Sequence, residues 1–143
     1  MGFLSELFKK GEDPDNSWSD EVLGLMEWSE DDEAWFGEFK GTKFSVAYER
    51  MKRPSDTVVA YAREVLSDPS WLASSLAGAK SRAKEAHDDF YFSEIDSLSF
   101  GRIHFYLHEE KRRILADLHG GKDDRLWRIE YSERRCEGIG FDR

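Results

Sequence analysis

Two periods of hydrophobic spacing divide the chain. From Val22 the side chains alternate, with Val22, Gly24, Met26 and Trp28 on one face and Leu23, Leu25 and Glu27 on the other, a period of two that predicts a strand over residues 22–28. The polar run 29–33 supplies a turn. Residues 34–40 put Trp35, Gly37 and Phe39 together, Gly41 with Thr42 offers a two-residue reversal, and residues 43–50 bring Phe44, Val46 and Tyr48 inward. With Lys40 opposite Lys43, Phe39 faces Phe44, Gly37 faces Val46 and Trp35 faces Tyr48, which gives an antiparallel meander one apolar face.

After Pro54 the period becomes 3.6. Val58, Tyr61, Ala62 and Val65 hold helical spacing and predict a helix over 56–66, with Ser55 as its N-cap. Asp68 and Pro69 read as cap and first position of a second helix that runs through Leu72, Leu76, Ala79 and Ala83 to the neighbourhood of His87. The small residues Ala73, Ala77, Ala79 and Ala83 would let that helix approach a sheet or a neighbouring helix closely. Alternation resumes over 97–107, 112–119 and 126–131. Setting Leu107 opposite Arg112 pairs Phe105 with Ile114 and Ile103 with Ala116 on one side, and Arg102 with Asp117 and Tyr106 with Arg113 on the other. Setting His119 opposite Leu126 pairs Leu118 with Trp127, Ala116 with Ile129 and Ile114 with Tyr131, so the apolar sides agree. Residues 136–142, with Gly138 and Gly140 around Ile139, form a short last strand or a bulged edge. The predicted fold is α+β: an antiparallel β-meander, two consecutive helices and a second antiparallel β-meander, with the helices packed on one sheet face.

A length of 143 residues suits one domain with a core that needs no disulfide or structural metal. Residues 1–20 read as an N-terminal arm, in which Phe3, Leu4, Leu7 and Phe8 make a short amphipathic turn before an acidic linker, and residues 21–143 as a single α+β domain. Cys136 is the only cysteine, which excludes a disulfide scaffold. With no secretory signal and no run of ~20 apolar residues, the expected setting is the cytoplasm, away from membranes.

The net charge of −9 argues against nucleic acid or an anionic membrane as the main partner, since both need a basic footprint. The charge is not spread evenly. Residues 11–37 hold ten acids and no Lys or Arg, whereas residues 38–143 are balanced. The acidic stretch reads either as a solvated arm or as a docking surface for a basic partner, with Asp15, Trp18, Asp20, Glu30, Asp31, Asp32 and Glu33 as its candidate contacts. Trp18 stands among polar residues, placed to anchor an interface or to staple the arm to the domain.

The polar side of the second meander offers a different site. Register aligns Arg102, Asp117 and Arg128 in a row, flanked by His104, Tyr106 and His119. Such a row is either a solvated ion-pair ladder or a place where rigidly held guanidinium groups bind a carboxylate. On one strand His104 and His108 stand ~13 Å apart, too far to share a zinc ion, so no metal site is expected. No phosphate-binding loop, nucleophile elbow or dinucleotide fingerprint occurs. No catalytic residue and no cofactor is assigned.

The segments 34–39 (AWFGEF), 126–131 (LWRIEY) and 136–142 (CEGIGFD) give the chain, over roughly 22–142, a pattern that resembles a group of uncharacterised bacterial α+β domains, some found near toxin and immunity genes. In size and acidity it also resembles small cytoplasmic immunity proteins, which bind and block a toxin. The expectation is a non-enzymatic binding protein of immunity or inhibitor type that docks a basic protein through the acidic segment. The alternative is a small-molecule or peptide-binding module, or a hydrolase, using the Arg/His/Asp face. A homo-oligomer joined through the 138–141 edge is a third arrangement.

Overall fold

In a computed structural model, which describes residues 16–48 and 53–142, eight strands form one sheet whose spatial order is their order in the chain. The strands are β1 (Ser17–Asp20), β2 (Gly24–Ser29), β3 (Ala34–Phe39), β4 (Thr42–Ala47), β5 (Ser99–His108), β6 (Lys111–His119), β7 (Leu126–Ser132) and β8 (Arg135–Asp142). Between β4 and β5 lie helices α1 (Asp56–Leu66) and α2 (Pro69–Ala86), a 3-10 turn at Asp89–Tyr91 and the short helix α3 (Phe92–Asp96). Every neighbouring pair is antiparallel except β4 and β5, which run parallel. A parallel pair needs a long crossover, and the helices supply it. The fold is therefore mixed α+β, two four-stranded meanders fused side by side. Among the described residues no helix is long and apolar enough to cross a membrane.

Both long helices start where the caps predict. Ser55 accepts from the Val58 amide and Asp68 from the Trp71 amide, with Pro69 opening α2. Val58, Tyr61, Ala62 and Val65 are buried in one cluster with Met26, Trp35, Phe44, Val46, Ile103, Phe105, Ile114, Ala116, Trp127, Ile129 and Tyr131. The Tyr61 ring meets Phe105 edge-on at 5.8 Å. Of the small residues on α2, only Ala79 and Ala83 are buried; Ala73 and Ala77 face solvent.

The second meander has the expected register, with Phe105 opposite Ile114, Leu118 opposite Trp127 and Asp117 opposite Arg128. One expected pair is displaced. Phe100 lies opposite Leu118 and Ile103 opposite Ala116, so Gly101 and Arg102 together stand against Asp117 in a bulge, where one strand carries an extra residue and its side chains are re-aimed.

The first meander differs in two respects. Phe39 pairs with Thr42, Gly37 with Phe44 and Trp35 with Val46, a shift of two residues from the expected register. The turn is Lys40 and Gly41, both left-handed at φ 49° and 85°. A tight hairpin needs two such residues, a conformation that β-branched Thr42 resists. An even shift leaves every side chain on its expected face. The sheet also begins earlier than the alternation marks, because Ser17–Asp20 pairs with β2 as an edge strand. Val22, which the alternation places on one face with buried Met26, is 44% exposed in the β1–β2 turn, while Leu23 from the other face fills the core. The Phe3, Leu4, Leu7 and Phe8 turn lies outside the described residues.

Candidate functional site

One sheet face carries the core, and its reverse carries every second residue: Phe36, Ser45, Arg102, His104, Tyr106, Arg113, Leu115, Asp117, Arg128 and Glu130. The parallel β4–β5 pairing sets Ser45 directly opposite His104, so the first meander contributes to the polar face of the second. Ser45 is only 2% exposed, and its Oγ lies 2.7 Å from His104 Nδ1. Burial pushes the His104 imidazole below its ordinary pKa, and the nearby Asp117 carboxylate opposes that only in part. The ring is neutral at pH 7 and stacks on Tyr106 at 5.5 Å and 16°.

Around this pair the surface forms a hollow of about 210 Å³ lined by Asp32, Ala34, Phe36, Ser45, Arg102, His104, Leu115 and Asp117. Such a volume falls below that of drug-sized sites and suits one amino-acid-sized group. Arg102 spreads over the Phe36 ring at 4.2 Å. Its Nε is buried without a hydrogen-bond partner, and among the described residues it forms no ion pair. Asp117 turns instead to Arg128, whose Nε lies 3.2 Å from it while Nη1 reaches Asp142 at 2.9 Å. Beyond this ion pair and Leu115 a second hollow of about 490 Å³ opens over β7 and β8, lined by Arg128, Glu130, Gly138, Gly140 and Asp142 among others.

The structure thus gathers Arg102, His104 and Asp117 of the expected arginine site into one hollow. Arg128 forms the ridge between the two hollows and Tyr106 supports His104. His119 stands at the exposed end of β6, where a Cβ on Gly101 would lie 3.0 Å from its Nε2. Sequence reading did not assign Phe36, Ser45 or Asp32 to this site. Alternation does place Ser45 opposite in face to Phe44 and Val46, but nothing local says that β4 would lie beside β5.

The residues of the acidic docking surface fall into two groups, Trp18 and Asp20 in β1 and Glu30, Asp31, Asp32 and Glu33 together in the exposed β2–β3 turn. Asp15 lies outside the described residues. Asp20 is 7% exposed and works inside the molecule, accepting from the amides of Val22 and Leu23 at 3.0 and 2.9 Å and pairing with Arg63 of α1. Arg63 first, with those amides, holds the Asp20 carboxyl down to about 2 against desolvation. Trp18 packs edge-on against Trp35 at 6.4 Å under the Arg53 guanidinium at 4.9 Å, which makes it a staple. Glu30 accepts from Trp28 Nε1 at 3.0 Å and Asp32 from Ser29 Oγ at 2.8 Å. Asp31 and Glu33 remain exposed in the β2–β3 turn.

A second buried ion pair lies elsewhere. Glu94 of α3 is 3% exposed, pairs with Arg125 and accepts from Trp127 Nε1 at 2.6 Å and the Lys122 amide at 3.0 Å. Arg125 first, then Trp127 and Lys122, hold its carboxyl down to about 2 against desolvation. With every acceptor position engaged, Glu94 ties α3 to the β6–β7 connection. Among the described residues no group of three or more His, Cys, Asp or Glu could hold a metal ion.

Comparison of the chain with protein-family models, with curated proteins and with solved structures finds no match.

Proposed function

We propose that this chain is a non-enzymatic binding module that takes a carboxylate-bearing small molecule or peptide in the Arg102 hollow on the reverse face of the sheet. The observation that carries this reading is Arg102 itself. Its guanidinium is held flat on Phe36, has a buried Nε without a partner, and lines a concavity in which the neighbouring acid, Asp117, is engaged by Arg128. Among the described residues Arg102 forms no ion pair, so its rigid planar fork is left to offer an incoming carboxylate two parallel hydrogen bonds. Asp32 and Asp117 at the rim favour a ligand with a hydrogen-bond donor beside its carboxylate, as a peptide or amino acid has. A nucleophilic role for Ser45 is disfavoured by its burial, at 2% exposure, which keeps a substrate from its Oγ.

The excess acidity belongs to residues 11–37, whose Asp32 reaches the hollow, so the site favours a ligand that carries a cationic or donor group beside its carboxylate. Of the seven acidic-segment candidates, Asp20 and Trp18 are committed to internal contacts. The same segment contributes Asp32 to the hollow's wall.

Titrating the chain with a panel of short carboxylate-bearing peptides and free amino acids, followed by NMR shift changes at the His104 ring, tests the proposal. A ligand that moves His104 and is lost in Arg102→Gln supports it. Arg102→Lys should recover little affinity, because a point charge does not reproduce the fork. Binding that survives Arg102→Gln, or a panel that leaves His104 unmoved at millimolar concentration, would overturn it.

A further inference from the structure

We infer that the outer edge of β8 joins two copies of this chain, the two β8 strands pairing antiparallel about a two-fold axis at Ile139. Among the described residues β8 is the last strand of the sheet, eight residues long, with β7 on one side only. The unpaired amides and carbonyls of such an edge are a template for another strand. The opposite edge, β1, has four residues and is tied down through Asp20. On β8, Arg82 of α2 takes the carbonyls of Cys136 at 2.7 Å and Glu137 at 3.1 Å. From Gly138 to Asp142 there is no Lys or Pro to discourage pairing.

Two glycines mark that open part. Neither Gly138 nor Gly140 has a left-handed φ, and a Cβ at either would meet nothing within 4 Å. Neither turn geometry nor packing within one chain requires glycine there. The second observation is a self-match. Glu130 pairs with Gly138 and Tyr131 with Cys136, so Glu137 is an extra residue. Arg135, Gly138, Gly140 and Asp142 therefore share the reverse face, and Cys136, Ile139 and Phe141 share the helix face.

A two-fold axis at Ile139 sets this residue against its own copy and Gly138 against Gly140. Past the Glu137 bulge, where Arg82 must yield the Cys136 and Glu137 carbonyls to the partner strand, it sets Cys136 against Phe141 and Arg135 against Asp142. Every pair then shares a face, and the opposite charges meet twice. A one-residue slip mixes the faces. Asp142 has 68% of its side chain exposed, so it can serve Arg128 and a second guanidinium together. At the same edge Phe90 is 74% exposed; it rests edge-on against Tyr91 at 5.1 Å, which in turn lies 5.5 Å from Phe141. An extended peptide from another protein could add to this edge, but the doubled Arg135–Asp142 match selects a second copy.

Sedimentation velocity of the full chain from micromolar to millimolar concentration should show a monomer–dimer equilibrium. Arg135→Glu and Asp142→Arg should each weaken it about tenfold, because each sets like charges opposite one another at both ends. An equimolar mixture of the two single variants should regain dimer, since the mixed pair carries one native contact and one fully reversed contact. The double variant R135E/D142R should regain it alone. A wild-type chain that sediments as a monomer throughout would overturn the proposal. So would single variants that associate as tightly as the wild type, or a mixture that associates no better than either component. Each single variant's far-UV circular dichroism establishes that it is folded, and neither the Arg102 hollow nor its ligand enters any of these outcomes.

Discussion

Among the described residues three tight hairpins turn on two consecutive left-handed residues, and the chemistry of those residues differs. Lys40 and Gly41 include the residue best suited to that conformation, whereas Glu109 with Glu110 (φ 53° and 64°) and Glu133 with Arg134 (φ 49° and 68°) do not. Left-handed backbone costs an ordinary residue about 1–2 kcal/mol. Replacing the exposed Glu109 and Glu110 by Asn and Gly should therefore stabilise the chain by about 1 kcal/mol, offset in part by the unfolded-state entropy of glycine. Urea unfolding measures this, and a lower midpoint would refute it. Gly37 has the opposite character. A Cβ there would stand 2.7 Å from Phe44 Cζ, and Phe44 is fully buried, so Gly37→Ala should destabilise by about 1–3 kcal/mol through overpacking. A glycine between Trp35 and Phe39 reads in the sequence as one more inward position. Only the observed register, which puts Phe44 across from it, shows why a side chain does not fit.

At the scale of elements, the ties that hold the short pieces are ionic. Helix α3 has five residues and no side-chain cap, too few to persist alone, and Glu94 fastens it to Arg125, Trp127 and Lys122. Glu94→Gln keeps an acceptor but leaves Arg125 buried beside a neutral amide, which should cost about 3–5 kcal/mol. Combining Glu94→Gln with Arg125→Met should cost less than Glu94→Gln alone, because no charge is then left stranded while the side-chain amide at position 94 still accepts from Trp127 and the Lys122 amide. If the double variant proves the less stable in thermal unfolding, the pair contributes more than its desolvation penalty. Helix starts and strand faces were legible because Ser55, Asp68 and the alternation are local signals. The Glu94–Arg125 pair joins residues 31 apart, and Asp20–Arg63 joins residues 43 apart. No spacing rule marks such partners. The same reason left the candidate site half-read: Arg102, His104 and Asp117 share one meander, while Ser45 and Phe36 reach it from the other.

For the whole molecule, the shifted groups bound a window of pH stability. The Asp20 and Glu94 carboxyls are held to about 2, against ordinary values of 3.8 and 4.5. Their contribution is therefore complete above those ordinary values and is lost as pH falls through them toward 2. His104 acts earlier: its folded pKa lies below the ordinary 6.5, so the unfolded chain takes up a proton first and stability begins to fall below that pH. Tyr131 is pushed up to about 12 by burial, so above its ordinary 10.0 the unfolded chain ionises first and stability falls again. Unfolding free energy against pH should form a plateau between about 7 and 10 with a two-stage acid slope, and removing the first stage with His104→Asn would identify its source. The sheet's one parallel seam has a kinetic consequence as well. Strand pairing within each meander links near neighbours in sequence, but β4 and β5 meet only across the helical crossover, through Phe44 with Ile103, Ser45 with His104 and Val46 with Phe105. Closing so long a loop is the slow event in folding. Truncating Val46 should therefore slow refolding by nearly the full amount it destabilises, whereas truncating Met26 in the β1–β2–β3 ribbon should mainly quicken unfolding.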